Sequence, residues 1–192
     1  MRIILVFIAA LLAQACGRQN AKYDKRYIDV DSLISAQIEL LRTKPIVIQK
    51  EAIMKESKSG GQVKADSAAL ARELDIFRQI DFMNKPLFRD QYQISIQPDP
   101  RSNLTMRVYE AKVAAPVKYL KIYFFEQPSR LRKIESYFEE ENSLYFTSRK
   151  YTLDFNEENS KSILVKSSMT GVQKMILSDS VSFSVTSTYQ VH

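Results

Sequence analysis

The feature that most constrains the fold is a change of period near Gln91. Before it, apolar residues recur at helical spacing in two stretches. After it they alternate with polar ones almost to the end of the chain. Tyr92, Ile94 and Ile96 alternate first, PDPRSN (98–103) makes a turn, and Leu104, Met106 and Val108 alternate next, up to a break at Pro116. Residues 117–125 are apolar on both faces: Leu120, Ile122 and Phe124 on one, Tyr119, Tyr123 and Phe125 on the other. That pattern predicts a central strand covered on both sides. Residues 130–138 and 144–155 flank the hairpin EEENS (139–143), 163–169 and 172–177 flank Thr170-Gly171, and 181–189 form the last strand. Short strands joined by turns, with no helix between them, pair as an antiparallel meander.

Upstream, Asp29-Val30-Asp31-Ser32 opens a helix with capping side chains and acidic charge in its first turn. Val30, Leu33, Ile34, Ile38 and Leu41 share one face, and Lys44-Pro45 ends it. Residues 46–54 are β-branched and predict a strand, KESKSGG (55–61) a hairpin loop, and Gln62-Val63-Lys64 a short return strand. Asp66 or Ser67 caps a second helix with Leu70, Leu74, Phe77 and Ile80 in line, ending at Asn84 to Pro86. The expected fold is α+β: two N-terminal helices packed on a six-to-eight-stranded antiparallel β meander, a curved sheet or half-barrel.

The chain begins MRIILVFIAALLAQAC. Arg2 gives a positive start, residues 3–13 are apolar, and Ala13-Gln14-Ala15 is a small-residue exit before the only cysteine. This is the layout of a secretory signal. The run is shorter than the roughly 20 apolar residues of a spanning helix. Leu12-Ala13-Gln14-Ala15-Cys16 resembles the lipobox of bacterial lipoproteins, with Ala13 where the commonest form has leucine. The resemblance implies cleavage before Cys16, acylation of its sulfur and amino group, and anchoring to membrane lipid through the acylated Cys16. Gly17 follows where many lipoproteins retained in the inner membrane carry aspartate, so the implied location is the cell envelope, on the outer membrane. Read without the resemblance, Cys16 is a free thiol behind a plain signal, or half of an intermolecular disulfide. The chain then divides into a signal (1–15), a lipidated cysteine and polar tether (16–26), and one α+β domain (27–192).

Composition removes several function classes. The 28 basic and 22 acidic side chains are interleaved, and no aromatic–basic motif appears, so nucleic acid is not an expected partner. The mild basic excess suits either anionic lipid and polysaccharide or simply solvated faces. His192, the last residue, is the only histidine, and Cys16 is assigned to the anchor. That leaves no histidine-based triad, no thiolate nucleophile and no His or Cys metal site. Beyond the signal the glycines are Gly17, Gly60, Gly61 and Gly171, too scattered for a phosphate loop. Glu139-Glu140-Glu141 and Glu157-Glu158 are the nearest approach to a carboxylate pair, and read first as solvated turn residues. No catalytic residue, metal or cofactor is expected.

Helices followed by a long antiparallel meander look like the half-barrel of periplasmic lipoprotein and lipid carriers. That resemblance implies a cavity lined by Leu120, Ile122, Phe124, Phe146 and Phe183 and filled by an apolar ligand. The ten Tyr and ten Phe fit an ordinary thick core equally well. The expected function is a non-enzymatic binding module in the envelope. The alternative is a structural or assembly subunit that docks an envelope protein.

Overall fold

A computed structural model describes residues 25–191. The signal, Cys16, most of the tether and His192 lie outside the described residues.

The first helix, α1 (Val30–Arg42), starts where Asp29 accepts a hydrogen bond from the Ser32 amide at 2.8 Å. Val30, Ile34, Ile38 and Leu41 are buried along one stripe, as the spacing predicts. The chain then forms a hairpin, β1 (Ile46–Met54) and β2 (Ser57–Ala65). The loop is only Lys55-Glu56, with Lys55 at a φ of 53°. Residues expected in the loop, Gly60 and Gly61 among them, are paired in β2. Asp66 caps α2 (Ser67–Leu74) through the Ala69 amide at 2.7 Å. A 3₁₀ helix, Asp75–Asn84, continues from it. The change of winding is written in the spacing: Leu74, Phe77, Ile80 and Met83 are buried at intervals of three, the 3₁₀ repeat.

That segment is held by two buried polar side chains. Asp81 accepts from the Val30 amide at 3.0 Å and pairs with Lys25 at 2.8 Å. Asn84 accepts from the Tyr27 amide at 3.0 Å and donates to the Ile28 carbonyl at 2.9 Å. The Val30 amide at the start of α1, which no helix turn can satisfy, and the Tyr27 amide just before the helix are thus met from across the fold.

Seven more strands follow: β3 (Tyr92–Pro98), β4 (Thr105–Ala111), β5 (Val117–Phe124), β6 (Leu131–Glu141), β7 (Tyr145–Glu158), β8 (Lys161–Met175) and β9 (Val181–Val191). All nine strands make one antiparallel sheet in the order β2-β1-β9-β8-β7-β6-β5-β4-β3. The fold is β-rich α+β, and three expectations about the number and order of its elements need correction. There are nine strands rather than six to eight. The helices do not both precede the sheet, because the β1–β2 hairpin lies between them and pairs with β9. Residues 67–88 therefore connect one edge of the sheet, β2, to the other, β3. The third correction is at Thr170-Gly171, which is no turn but the interior of a 15-residue strand. A Cβ on Gly171 would meet the Ser148 carbonyl oxygen and lie 2.7 Å from the Phe183 ring. Glycine is there so that the ring and the neighbouring strand can close over it.

The helices cover one face of the sheet. Register runs Ser167, Leu153, Ile134, Ile122 across β8 to β5, with Leu120 opposite Tyr109 on β4. The apolar side chains among these, joined by Ile48 and Tyr189, pack against the helical residues in one cluster. Gln37 ties α1 to β8, donating to the Ser162 carbonyl at 3.0 Å and accepting from the Leu164 amide at 2.8 Å. The other face carries no helix among the described residues. So β5, expected to be covered on both sides, buries Val117, Leu120, Ile122 and Phe124 and leaves Tyr119 and Tyr123 half-buried on the uncovered side.

Candidate functional site

Strands β6, β7 and β8 extend beyond the helical layer, and the side chains there are polar. On β7 the inward phase set by Tyr151, Leu153 and Phe155 continues back through Arg149, Thr147 and Tyr145. On β6 it runs from Phe138 to Glu140, and on β8 it reaches Gln173 and Met175. The 3₁₀ helix supplies Gln79 and Phe82 from above. Together these nine residues line a cleft of about 360 Å³. Phe82 and Phe138 meet edge to face at 6.0 Å and form its apolar side, with Met175 at the rim.

The polar side of the cleft is only partly satisfied. Arg149 Nη1 donates to Gln79 Oε1 at 2.7 Å, and the Tyr151 hydroxyl donates to the same oxygen at 2.8 Å. Burial raises the Tyr151 phenol pKa, with the Arg149 guanidinium pulling the other way. Arg149 has no carboxylate within ion-pair distance among the described residues. The Glu140 carboxylate beside Tyr145 holds the Tyr145 phenol above its ordinary range. Lys85 Nζ stands 3.4 Å over the Phe82 ring, adding a second positive charge near the cleft. Thr147 is 3% exposed, and its Oγ1 is the one buried side-chain polar atom without a hydrogen-bond partner among the described residues. Buried polar atoms are paired with few exceptions, and leaving one unpaired costs about 1–3 kcal/mol.

Other polar clusters are complete in themselves. Glu73 accepts from Ser187 Oγ at 2.6 Å and from Lys50 Nζ at 2.8 Å, beside a smaller cleft of about 170 Å³. Ser167 and Tyr189 share a hydrogen bond of 2.8 Å. On the uncovered face, Glu135 takes Lys133 Nζ at 2.6 Å and the Tyr123 hydroxyl at 3.1 Å. Each side chain there has its counterpart, so these clusters hold strands and helices together without an open valence.

The residues expected to line an apolar cavity are not brought together. Leu120, Ile122 and Phe124 are in the packed core under the helices. Phe183 is on the same face but over Gly171, and Phe146 points to the opposite face, paired with Glu141 and Lys174. None of the five lines the cleft. The glutamates also part. Glu139 and Glu141 lie on the uncovered face and Glu140 on the covered one, since all three belong to β6. Glu139 pairs with Lys118 at 3.3 Å, Glu157 with Arg132 at 2.7 Å, and Glu158 with Lys44 at 2.6 Å. Among the described residues no three His, Cys, Asp or Glu side chains gather as metal ligands, and no helix is long and apolar enough to cross a membrane.

Thr147, Arg149 and Gln79 were not singled out from sequence. The signal was present, because polar residues stand in the inward phase of β7, where an ordinary core strand would stay apolar.

Comparison with known proteins finds no matching family model, no matching curated protein and no matching solved structure.

Proposed function

We propose that this chain is a non-enzymatic binding module of a bacterial cell envelope, held at the outer membrane by a lipidated Cys16, with the cleft between the 3₁₀ helix and β6–β8 as its ligand site. The observation that carries the binding reading is the Thr147 hydroxyl, buried and unpaired on a residue that lines that cleft. A long antiparallel sheet with helices across one face agrees with a carrier-like, curved half-barrel. A ligand between sheet and helices, however, would have to displace side chains packed on Leu120, Ile122 and Phe124, whereas the cleft needs no displacement. Its volume lies near the low end of the roughly 300–1,000 Å³ of small-molecule sites.

Two measurements test this reading. Cells fed an alkyne analogue of palmitate should label the wild-type chain and not Cys16→Ala, which should also leave the membrane fraction. Label retained on Cys16→Ala overturns the anchor. A fragment screen by NMR should find small molecules that shift the Thr147, Arg149 and Gln173 signals, and a screen in which nothing reaches them overturns the cleft.

The second reading, an assembly subunit docking a partner protein, draws on the strand tips beside the cleft. Leu144, Met175, Ile176 and Leu177 are all more than half exposed there, Leu177 fully. The backbone bond from the Ile176 amide to the Leu144 carbonyl holds the two turns together at 2.8 Å. One stoichiometric envelope protein, recovered from detergent extracts and lost on Leu177→Asp, would favour it.

A further inference from the structure

Resting on the binding reading above, we propose that the cleft takes a carboxylate carried on a small apolar body, the chemistry shared by a short fatty acid and the C-terminal residue of a peptide. Three features choose this class. The first is the direction of the unmet hydrogen bonds. Arg149 carries five N–H donors, of which Gln79 and Tyr151 engage only part. A guanidinium without a carboxylate partner at the side of a cleft is a fork for one, and the Thr147 hydroxyl adds a third donor beside it.

The second feature is the balance of charge. Arg149 lines the cleft and Lys85 stands over Phe82, against a single carboxylate, Glu140. Glu140 is exposed, where solvent screens its charge, so the unmet charge is positive. The third is the opposite wall. Phe82, Phe138 and Met175 offer an apolar surface with no polar atom to satisfy, which suits a branched aliphatic or aromatic group next to the anion. A bare inorganic anion would leave that wall in water, and an uncharged apolar molecule would leave Arg149 and Thr147 unmet.

The test is calorimetric titration of the full chain in lipid nanodiscs with four probes: N-acetyl-leucine, its amide, hexanoate and inorganic phosphate. N-acetyl-leucine should bind at least tenfold more tightly than N-acetyl-leucinamide, because only the acid completes the Arg149 fork. If hexanoate binds as tightly as N-acetyl-leucine, the apolar chain decides and the source is of fatty-acid type. If N-acetyl-leucine is preferred, the peptide amide contributes and the source is a peptide end. Thr147→Val, which conserves volume, should weaken the acid severalfold. Met175 is exposed and tolerates charge, so Met175→Glu should weaken the acid and Met175→Lys strengthen it, even if an Arg149 variant fails to fold.

Acid and amide binding equally overturns the carboxylate assignment while leaving the cleft a binding site. Phosphate binding as tightly as either acid overturns the role given to the apolar wall. No binding of any of the four, or binding indifferent to Thr147→Val and both Met175 variants, overturns the carboxylate proposal. Only an empty fragment screen removes the cleft itself.

Discussion

The two faces of the sheet are built from the same strands and solve opposite problems. Under the helices, Leu153, Ile134 and Leu120 are fully buried, and polar groups survive only with a dedicated partner, as Gln37 does with Ser162 and Leu164. On the uncovered face, side chains one residue along face water and pair with one another: Tyr119 stacks on Tyr137 of the neighbouring strand at 6.1 Å, and Lys133 meets Glu135 along β6. Stability resides on the first face, because burial of apolar area dominates and exposed ion pairs contribute little. The cleft is the exception that separates binding from stability. It lies on the covered face, at the edge of the helical layer, and there a buried group lacks its partner.

The sharpest way to break this contrast is to cut one side chain on each face. Leu153→Ala should cost about 3 kcal/mol of unfolding free energy, since the packed cluster cannot collapse around the lost methyls. Lys166→Ala, exposed on the other face, should stay within about 0.5 kcal/mol. Urea titrations of both variants measure the difference, and equal losses would show that the uncovered face carries load too.

Next in size is Gly171→Ala. The added Cβ meets a backbone oxygen, which cannot swing aside, as well as the Phe183 ring, so a loss of about 2 kcal/mol is expected. Gly61, on the β2 edge, has nothing within 4 Å of its would-be Cβ, and Gly61→Ala should change stability by less than about 0.5 kcal/mol. The same thermal-unfolding series reads both. A neutral Gly171→Ala would mean that β8 and β7 can part at this point.

Thr147→Val sharpens the comparison differently, because stability and binding should move in opposite directions. Replacing an unpaired buried hydroxyl with a methyl of the same shape should stabilise the fold by about 1 kcal/mol. The same change should weaken ligand binding. Destabilisation instead would mean that Thr147 makes a hydrogen bond in the folded chain after all.

Much of this was legible in the residues, and what was not has physical causes. Both helix starts could be read, because Asp29 and Asp66 cap by local bonds. Strand phase could be read wherever apolar residues alternate, and it assigned Leu120, Ile122 and Phe124 to one face correctly. The hairpin β1–β2 was legible as a hairpin but not as a neighbour of β9, since its partner lies more than a hundred residues away. Gly171 read as a turn because a glycine's local signal is the same whether it permits a bend or a close approach. The cleft was hidden for a related reason. Where a helical layer stops over a sheet is a property of the crossover from β2 to β3, and no single strand reports it.

The smallest expected effects lie on the uncovered face, in two carboxyls that respond to pH in opposite senses. Burial drives the Asp154 carboxyl above its ordinary value of 3.8, and the lysines facing it, Lys133 and Lys166, do not fully offset that. Glu135 feels the same desolvation, but the Lys133 hydrogen bond, the Lys133 and Lys150 charges and the Tyr123 hydroxyl outweigh it and hold it below its ordinary 4.5. For Asp154 the folded state binds its proton more tightly than the unfolded chain, so ionisation is a penalty present above the folded pKa and absent below 3.8. Glu135 gives the reverse, a contribution present above 4.5 and lost as pH falls through its depressed folded pKa. Asp154→Asn should therefore be more stable than wild type at neutral pH and Glu135→Gln less stable, each by under about 1 kcal/mol because both carboxyls are partly exposed and solvent screens them. Both differences should vanish in acid, that of Asp154→Asn once pH has fallen to 3.8 and that of Glu135→Gln once pH has passed below its depressed folded pKa. Urea midpoints followed from neutral pH downward resolve both. If both variants shift stability in the same direction, the two carboxyls form one coupled pair, and the uncovered face is not the set of separate, self-satisfied contacts described above.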